Sequence, residues 1–215
     1  MTSNQDFQWH IVQRWQEIRG EARANLLRIL AIGVFYAIEW VNATGVDFGP
    51  FHLAPVVNQS FHRLMTALTL AWCLEAMAIL LCLRRQIVPS ALKFIATFSD
   101  LTLLTFILAI ADGARSPLVI LYFLVIVLSA QRFSLRLIQF ATLGSLLSYG
   151  VLIGYARWWQ LPRPPHYAEL IFLAGLAIAG IMMGQLVRRV RELADEYATR
   201  LENSQPKDIG QKGFL

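Results

Sequence analysis

The chain has 215 residues, of which 56% are hydrophobic and only 15% are charged, and its mean hydropathy is +0.50. Soluble domains carry roughly 25% charged residues, so this composition excludes an ordinary soluble protein. The net charge of +5 gives no reason to expect a nucleic-acid partner, because basic residues in a membrane protein mostly set its topology. We therefore expect an all-α, polytopic integral membrane protein in the lipid bilayer.

Six apolar segments follow one another along the chain. Runs of about 18 or more apolar residues with few charges are typical of transmembrane helices. The predicted transmembrane bundle covers residues 25–187, with crossings at 25–46, 63–83, 91–111, 117–130, 137–156 and 169–187.

The fourth segment is the shortest, and it lies within DGARSPLVILYFLVIVLSAQRFSL. At about 1.5 Å per residue it underfills a hydrocarbon core of about 30 Å. It can cross if the residues after it extend the helix and Arg132 snorkels to the surface. Pro117 suits a helix start, with Ser116 as its N-cap. We expect it to cross, because otherwise the basic residues after it would lie on the wrong side.

The distribution of basic residues predicts the orientation of the six crossings. If both termini are cytoplasmic, the inner flanks carry Arg14, Arg19, Arg23, Arg28, Arg84, Arg85, Lys93, Arg132, Arg136, Arg188, Arg189 and Arg191. The outer flanks then carry Arg63, Arg115, Arg157 and Arg163. Since loops rich in Lys and Arg stay on the cytoplasmic side, both termini are predicted to lie on the cytoplasmic side of the membrane.

The N-terminal residues 1–24 place Phe7, Ile11, Trp15 and Ile18 three or four positions apart. This spacing favours a cytoplasmic amphipathic helix that lies on the inner membrane surface. A simple helical extension of the first crossing is the alternative.

The sixth segment continues without a helix-breaking residue into 188–203, where apolar residues follow near-heptad spacing. The pattern predicts a cytoplasmic, coiled-coil-like helix that pairs in a homodimer. The predicted seam consists of Leu186, Val190, Leu193, Tyr197 and Leu201. A single solvated helix is the alternative, and residues 204–215 are expected to be disordered.

Three carboxylates fall inside predicted crossings: Glu39 in the outer half of the first, and Glu75 and Asp100 near the middle of the second and third. Ionisable groups at this depth are costly and often functional. No Lys or Arg lies at a matching position, so we expect them to be protonated, hydrogen-bonded or bound to a cation. They form either an ion-responsive pair or neutral polar contacts between helices.

Small residues and histidines suggest further sites. The spacings Gly150-x-x-x-Gly154 and Gly180-x-x-x-Gly184 predict close helix packing, within the bundle or between protomers. His52, His62 and His166 are predicted on the outer side and are weak candidates for metal ligands, because their spacing is not typical of a metal site. We expect no metal and no cofactor, since no histidine is well placed within a helix to bind haem.

No phosphate-binding loop, nucleophile elbow or kinase motif is found, so we expect no enzymatic activity.

The third and fourth segments resemble the six-helix membrane region of histidine kinases that regulate type IV pili. The resemblance lies in FSDLTLLTFILAIADGARSP followed by LYFLVIVLSAQRFSL. These segments are also similar to membrane regions ahead of adenylate cyclase or Ser/Thr kinase domains in planctomycete-type bacteria. The resemblance covers residues 26–201 and includes FHRLMTALTLAW and CLRRQIVPSALKF.

In those families the sixth helix leads into a kinase or cyclase domain. Here the sequence ends soon after the predicted coiled coil, and no phosphoacceptor histidine follows His166. The resemblance therefore implies a sensory or regulatory module of a bacterial inner membrane. Such a module would pass its signal to a separate cytoplasmic kinase, cyclase or response partner. A small ion-coupled permease using Glu75 and Asp100, and a structural subunit of a membrane complex, are the alternatives.

Overall fold

The computed structural model describes the backbone of residues 2–48, 51–53, 59–85 and 91–204. It describes side chains within 19–45, 59–85 and 91–200, except at 195, 198 and 199. Within these residues the chain is helical apart from turns and one short hairpin, as the all-α prediction required. The predicted disordered tail, 204–215, lies outside the described residues beyond Ser204.

The helices follow the order of the predicted segments. They are α1 Thr2–Thr44, α2 Gln59–Arg84, α3 Leu92–Ile110, α4 Leu121–Ala130, α5 Leu135–Trp158 and α6 His166–Ser204. Between α1 and α2, β1 (Val46–Phe48) pairs antiparallel with β2 (Phe51–Leu53). Within the described residues five helices are long and apolar enough to span a membrane, namely α2, α3, α5 and the parts Arg19–Thr44 of α1 and His166–Ala194 of α6.

The short fourth segment consists of a 3-10 turn, Pro117–Ile120, that continues directly into α4. The Ser116 hydroxyl caps this turn by accepting a hydrogen bond from the Leu118 amide at 3.3 Å. At helical rises the whole segment covers about 23 Å. α4 packs against α3, α5 and α6, and Tyr122 and Ile126 are fully buried there. Neighbouring helices thus bury most of α4, in which Val127 is the one exposed residue.

The largest core cluster lies among α3, α4, α5 and α6. Tyr149 of α5 and Phe172 of α6 contact each other with ring centroids 4.5 Å apart, and Phe123 of α4 meets Phe172 edge to face. α1 packs mainly along α2. The bundle therefore combines a densely packed four-helix part with an α1–α2 pair at its side.

Both terminal segments continue their neighbouring helices. α1 is unbroken from Thr2 to Thr44, which is the helical extension that the sequence left as an alternative to a separate interfacial helix. The side chains of residues 2–18 lie outside the described part of the chain. α6 likewise runs unbroken from His166 to Ser204, through the predicted end of the crossing at 187.

The four glycines of the two Gly-x-x-x-Gly motifs in α5 and α6 differ in their contacts with neighbouring helices. A Cβ at Gly180 would overlap the Thr142 side chain of α5, so Gly180 allows α5 and α6 to approach closely. Gly150, Gly154 and Gly184 have no described neighbour within 4 Å of such a Cβ. Within one chain, close packing is therefore found at Gly180 but not at these three residues, for which contact between protomers stays a prediction.

We expect Gly180→Ala to destabilise the protein by about 1–3 kcal/mol, because the added methyl overpacks the α5–α6 contact. The loss should appear as a lower melting temperature of the protein in detergent. Thr142→Ala in the same background should recover part of the stability, because it removes two of the overlapping atoms. Gly184→Ala is the matched control, and an equal loss in that variant would contradict the packing explanation.

Candidate functional site

A buried ion pair joins α1 to α3. Arg28 Nη2 donates a hydrogen bond to Asp100 Oδ2 at 2.6 Å, and the two side chains are 3% and 5% exposed. Trp72 Nε1 of α2 donates to the other oxygen, Asp100 Oδ1, at 2.8 Å. Both carboxylate oxygens of Asp100 are thus bound, its charge is balanced by Arg28, and the contacts join three helices.

The expectation that no basic residue could pair with Asp100 is wrong. Arg28 was assigned to the cytoplasmic flank of the first crossing because it lies near the start of the apolar run. In the structure Arg28 is among the buried residues of α1, together with Asn25 on the same face one turn earlier. The depth of a residue in a bundle depends on the position of its neighbours, which hydropathy does not report.

Asn25 holds the ion pair in place from the side. Its Nδ2 donates to the Ala76 carbonyl oxygen of α2 at 3.0 Å, and its Oδ1 accepts from Arg28 Nη1 at 3.2 Å. Asn25 is 1% exposed. An amide that both donates and accepts inside the bundle fixes the guanidinium orientation, since a buried polar group without partners is costly.

Glu75 lies beside this cluster on α2. Its Oε2 accepts a hydrogen bond from the Ser99 hydroxyl of α3 at 2.7 Å. Among the described hydrogen bonds none joins Glu75 to Asp100, and the two carboxylates use different donors. The structure therefore places them on adjacent helices without a direct bond.

A second ion pair lies toward the end of the bundle where α4 ends, which we call the Arg132 end. Arg132 Nη2 lies 3.1 Å from Glu21 Oε2 of α1, and both side chains are buried. Arg132 Nη1 also donates to the Lys93 carbonyl and to Thr97 Oγ1 of α3, at 2.9 and 3.0 Å. Burial lowers the pKa of the Arg132 guanidinium, and the Glu21 carboxylate opposes that shift, so an arginine remains protonated here.

The turn between α4 and α5 connects these contacts to α6. Gly20 of α1 lies close to the Gln131 carbonyl of this turn. Phe133, which has a positive φ of 49°, accepts a hydrogen bond through its carbonyl oxygen from the Arg191 guanidinium of α6. One turn therefore contacts α1 and α3 through Arg132 and the extension of α6 through Arg191.

At the opposite end of α1, Glu39 pairs with His62 of α2. The His62 Nδ1 atom lies 2.9 Å from Glu39 Oε1 and 3.1 Å from Oε2. Tyr36 stacks on the His62 ring with centroids 6.5 Å apart, and its hydroxyl lies 3.2 Å from Thr66 Oγ1. The sequence missed this pair because it placed His62 in an outer loop, whereas α2 begins before it, at Gln59.

His62 and His166, the two candidate metal ligands whose side chains are described, do not share a metal site. His166 lies 3.4 Å from Glu169 of its own helix, and His52 is in β2, whose side chains lie outside the described part. Within the described residues no group of three or more His, Cys, Asp or Glu side chains is arranged to hold a metal ion.

No protein-family model matches the chain, and no curated protein or solved structure is significantly similar to it. The function must therefore be inferred from the arrangement of its residues.

We expect Asp100→Leu to destabilise the protein by about 3–5 kcal/mol, because it leaves the Arg28 charge buried without a partner. The double variant Arg28→Met/Asp100→Leu should lose much less, since both charges are removed together. Thermal unfolding of the purified protein in detergent measures both effects. Arg23→Met, on an exposed position of the same helix, is the control. Additive losses at positions 28 and 100 would show that the two residues do not interact.

Proposed function

We propose that this protein is a six-helix, bacterial inner-membrane sensory or regulatory module without enzymatic activity of its own. Both termini are cytoplasmic, and the last helix passes a membrane or extracytoplasmic signal to a separate cytoplasmic partner. The observation that carries the proposal is the unbroken α6, which extends well beyond its apolar segment and exposes an apolar stripe on the extension.

The alternating direction of the helices supports six crossings. Glu21 of α1, Lys93 of α3 and Arg132 after α4 meet at one end, while Glu39 and His62 meet at the other. Each apolar helix, including short α4, leads from one end to the other in this arrangement. Although Arg28 lies within the bundle, most of the remaining basic residues still favour the Arg132 end as the cytoplasmic one.

The exposed stripe supports a homodimer. Leu186, Val190, Leu193 and Tyr197 are all at least 40% exposed, whereas neighbouring Val187 is buried in the bundle. Leu201, the last predicted seam residue, has no described side chain. Apolar side chains at near-heptad spacing on an exposed helix are typical of a surface that pairs with another helix.

The contacts at the Arg132 end supply a route for the signal. A shift of α1 would act on Arg132 through Glu21. Arg132 lies in the turn between α4 and α5, and Phe133 of that turn accepts a hydrogen bond from Arg191 at the start of the α6 extension. A small translation or rotation of a helix at an interface is a known type of switching transition. The partner would be a kinase, cyclase or response protein, as the sequence resemblance implies.

An ion-coupled permease is the second candidate, and a cavity that reaches Asp100 is the observation that favours it. Asp100 is already neutralised by Arg28, however, so this carboxylate is not free to carry an ion. A structural subunit of a membrane complex is a further alternative, for which a stoichiometric partner in purification would be the test.

Disulfide crosslinking in membranes tests the dimeric signalling helix. Single cysteines at Leu186, Val190, Leu193, Tyr197 and Leu201 are compared in a background that lacks Cys73 and Cys82. We expect strong crosslinks at these positions, because a parallel seam brings equivalent residues together. The control positions Arg189 and Glu192 flank the seam and should crosslink weakly. A flat pattern, or no crosslinks at any position, would reject the dimer and favour the permease or subunit.

A further inference from the structure

An open pocket of about 390 Å³ lies where α3 and α5 end, opposite the Arg132 end of the bundle. Asp112 and Arg115, in the connection from α3 to α4, line one wall. Tyr155 at the end of α5 and Leu161 in the loop after it line the other. All four residues are exposed, so the pocket is accessible from the surface. Its volume is within the range of small-molecule sites, about 300–1,000 Å³.

The connection that carries the two charges is held in place by its buried residues. Ala114, between Asp112 and Arg115, belongs to the largest core cluster. Ser116 is buried, and its hydroxyl caps the following 3-10 turn. The Arg115 amide also donates a hydrogen bond to the Asp112 carbonyl oxygen at 3.2 Å. The two charged residues are therefore presented from a fixed turn.

The facing wall is also built from a hydrogen-bonded turn. The Leu161 amide donates to the Ala156 carbonyl oxygen at 2.9 Å, which folds the chain back over the end of α5. Between them Gln160 has a positive φ of 51°, a conformation that is uncommon for residues other than glycine. Buried Ala156 lies in the pocket wall. Because both walls are formed by ordered turns, a ligand would bind here with little ordering of the chain.

The pocket contains two opposite charges that the described part of the protein does not use. Among the described residues, neither the Asp112 carboxylate nor the Arg115 guanidinium forms an ion pair or a side-chain hydrogen bond. One 3-10 turn separates the two residues along the chain, or about 6 Å of rise. A simple anion would be repelled by Asp112, and a simple cation by Arg115. A ligand with both charges a few bonds apart can meet both residues at once.

We propose that this pocket binds a zwitterion that carries a primary ammonium group and an acidic oxyanion. The ammonium donates hydrogen bonds to the Asp112 carboxylate. The oxyanion accepts hydrogen bonds from Arg115, whose planar guanidinium matches carboxylate and phosphate groups. The Tyr155 hydroxyl in the facing wall can donate to or accept from the same ligand.

Two sources share this chemistry, namely the phosphoethanolamine headgroup of a membrane lipid and a free α-amino acid. The Trp159 ring contacts the Tyr155 ring, with centroids 6.4 Å apart, and both Trp158 and Trp159 are exposed. Exposed tryptophans at a helix end are typical of the membrane surface, where a lipid headgroup can reach the pocket. The extracytoplasmic position of the pocket rests on the proposed function, whereas binding itself does not.

Photolabelling of the full-length protein in phosphatidylcholine nanodiscs tests the lipid source. The probe is a tracer phosphatidylethanolamine with a photoreactive group near its headgroup, and unlabelled phosphatidylethanolamine or phosphatidylglycerol replaces part of the host lipid. We expect phosphatidylethanolamine to compete about tenfold better than either other lipid, as one charge-assisted hydrogen bond predicts. The quaternary ammonium of phosphatidylcholine has no hydrogen to donate, and phosphatidylglycerol has no cation.

Scintillation proximity with radiolabelled glycine, in the same phosphatidylcholine nanodiscs, tests the soluble source. Unlabelled glycine should compete, whereas acetate and methylamine, which each carry one of the two charges, should not. Binding of glycine without a lipid preference would identify a free zwitterion as the ligand. The opposite result would identify a lipid headgroup, and either outcome supports the proposal.

Variants of the pocket connect binding to its two charges. Asp112→Asn and Arg115→Gln should each weaken binding about tenfold, and both positions are exposed, so the fold is retained. Arg157→Gln is the matched control, because Arg157 is exposed at the same end of α5 but does not line the pocket. An equal loss in Arg157→Gln would overturn the proposal.

Two further results would also overturn it. One is the absence of both glycine binding and any preference for phosphatidylethanolamine over phosphatidylcholine. The other is equal competition by phosphatidylglycerol or acetate, which would indicate a simple anion site. None of these results would alter the crosslinking pattern of α6, so failure here is distinguishable from failure of the proposed function.

Discussion

A carboxylate inside an apolar helical bundle requires a compensating charge, and the Arg28–Asp100 ion pair meets this requirement. Burying either ion alone costs several kcal/mol, whereas a guanidinium paired directly with a hydrogen-bonded carboxylate can be accommodated. The constraint acts across helices, since Arg28 is on α1, Trp72 on α2 and Asp100 on α3. α1 otherwise packs mainly along α2. The ion pair therefore fixes the rotation of α1 toward α3, and with it the cavity beside Arg28.

The second buried ion pair, between Glu21 and Arg132, connects α1 to the turn that contacts α6. Glu21 lies two turns before Arg28 on α1, so the two contacts must move together if α1 shifts as a rigid helix. Arg132 forms an ion pair with the Glu21 carboxylate. In the same turn, the Phe133 carbonyl oxygen accepts a hydrogen bond from Arg191 of α6. In our account, a shift of α1 reaches the exposed stripe of α6 through these contacts, without any moving part larger than one helix.

Much of the fold was predictable because it depends on local properties. Apolar run length indicates the helices, and the Ser116-Pro117 pair indicates the start of the short segment before α4. Contacts between helices are not local, and the sequence did not predict the pairing of Arg28 with Asp100. Arg28 was placed on a flank, although its one-turn spacing from Asn25 was an available signal of a shared polar face. Gly180 and Gly184 belong to the same Gly-x-x-x-Gly motif, yet of the two only Gly180 lies against a neighbouring helix. The motif does not specify how the helix is rotated about its axis.

The most direct measurement of the central claim is the ionisation state of Asp100 in the native protein. Infrared difference spectroscopy of protein with isotope-labelled aspartate, comparing the native chain with Asp100→Asn, isolates the bands of this side chain. Our account predicts that the substitution removes the stretching bands of an ionised carboxylate at neutral pH, since Asp100 balances Arg28. Loss of the carbonyl band of a protonated acid instead would contradict the ion pair and the arrangement of α1 that depends on it.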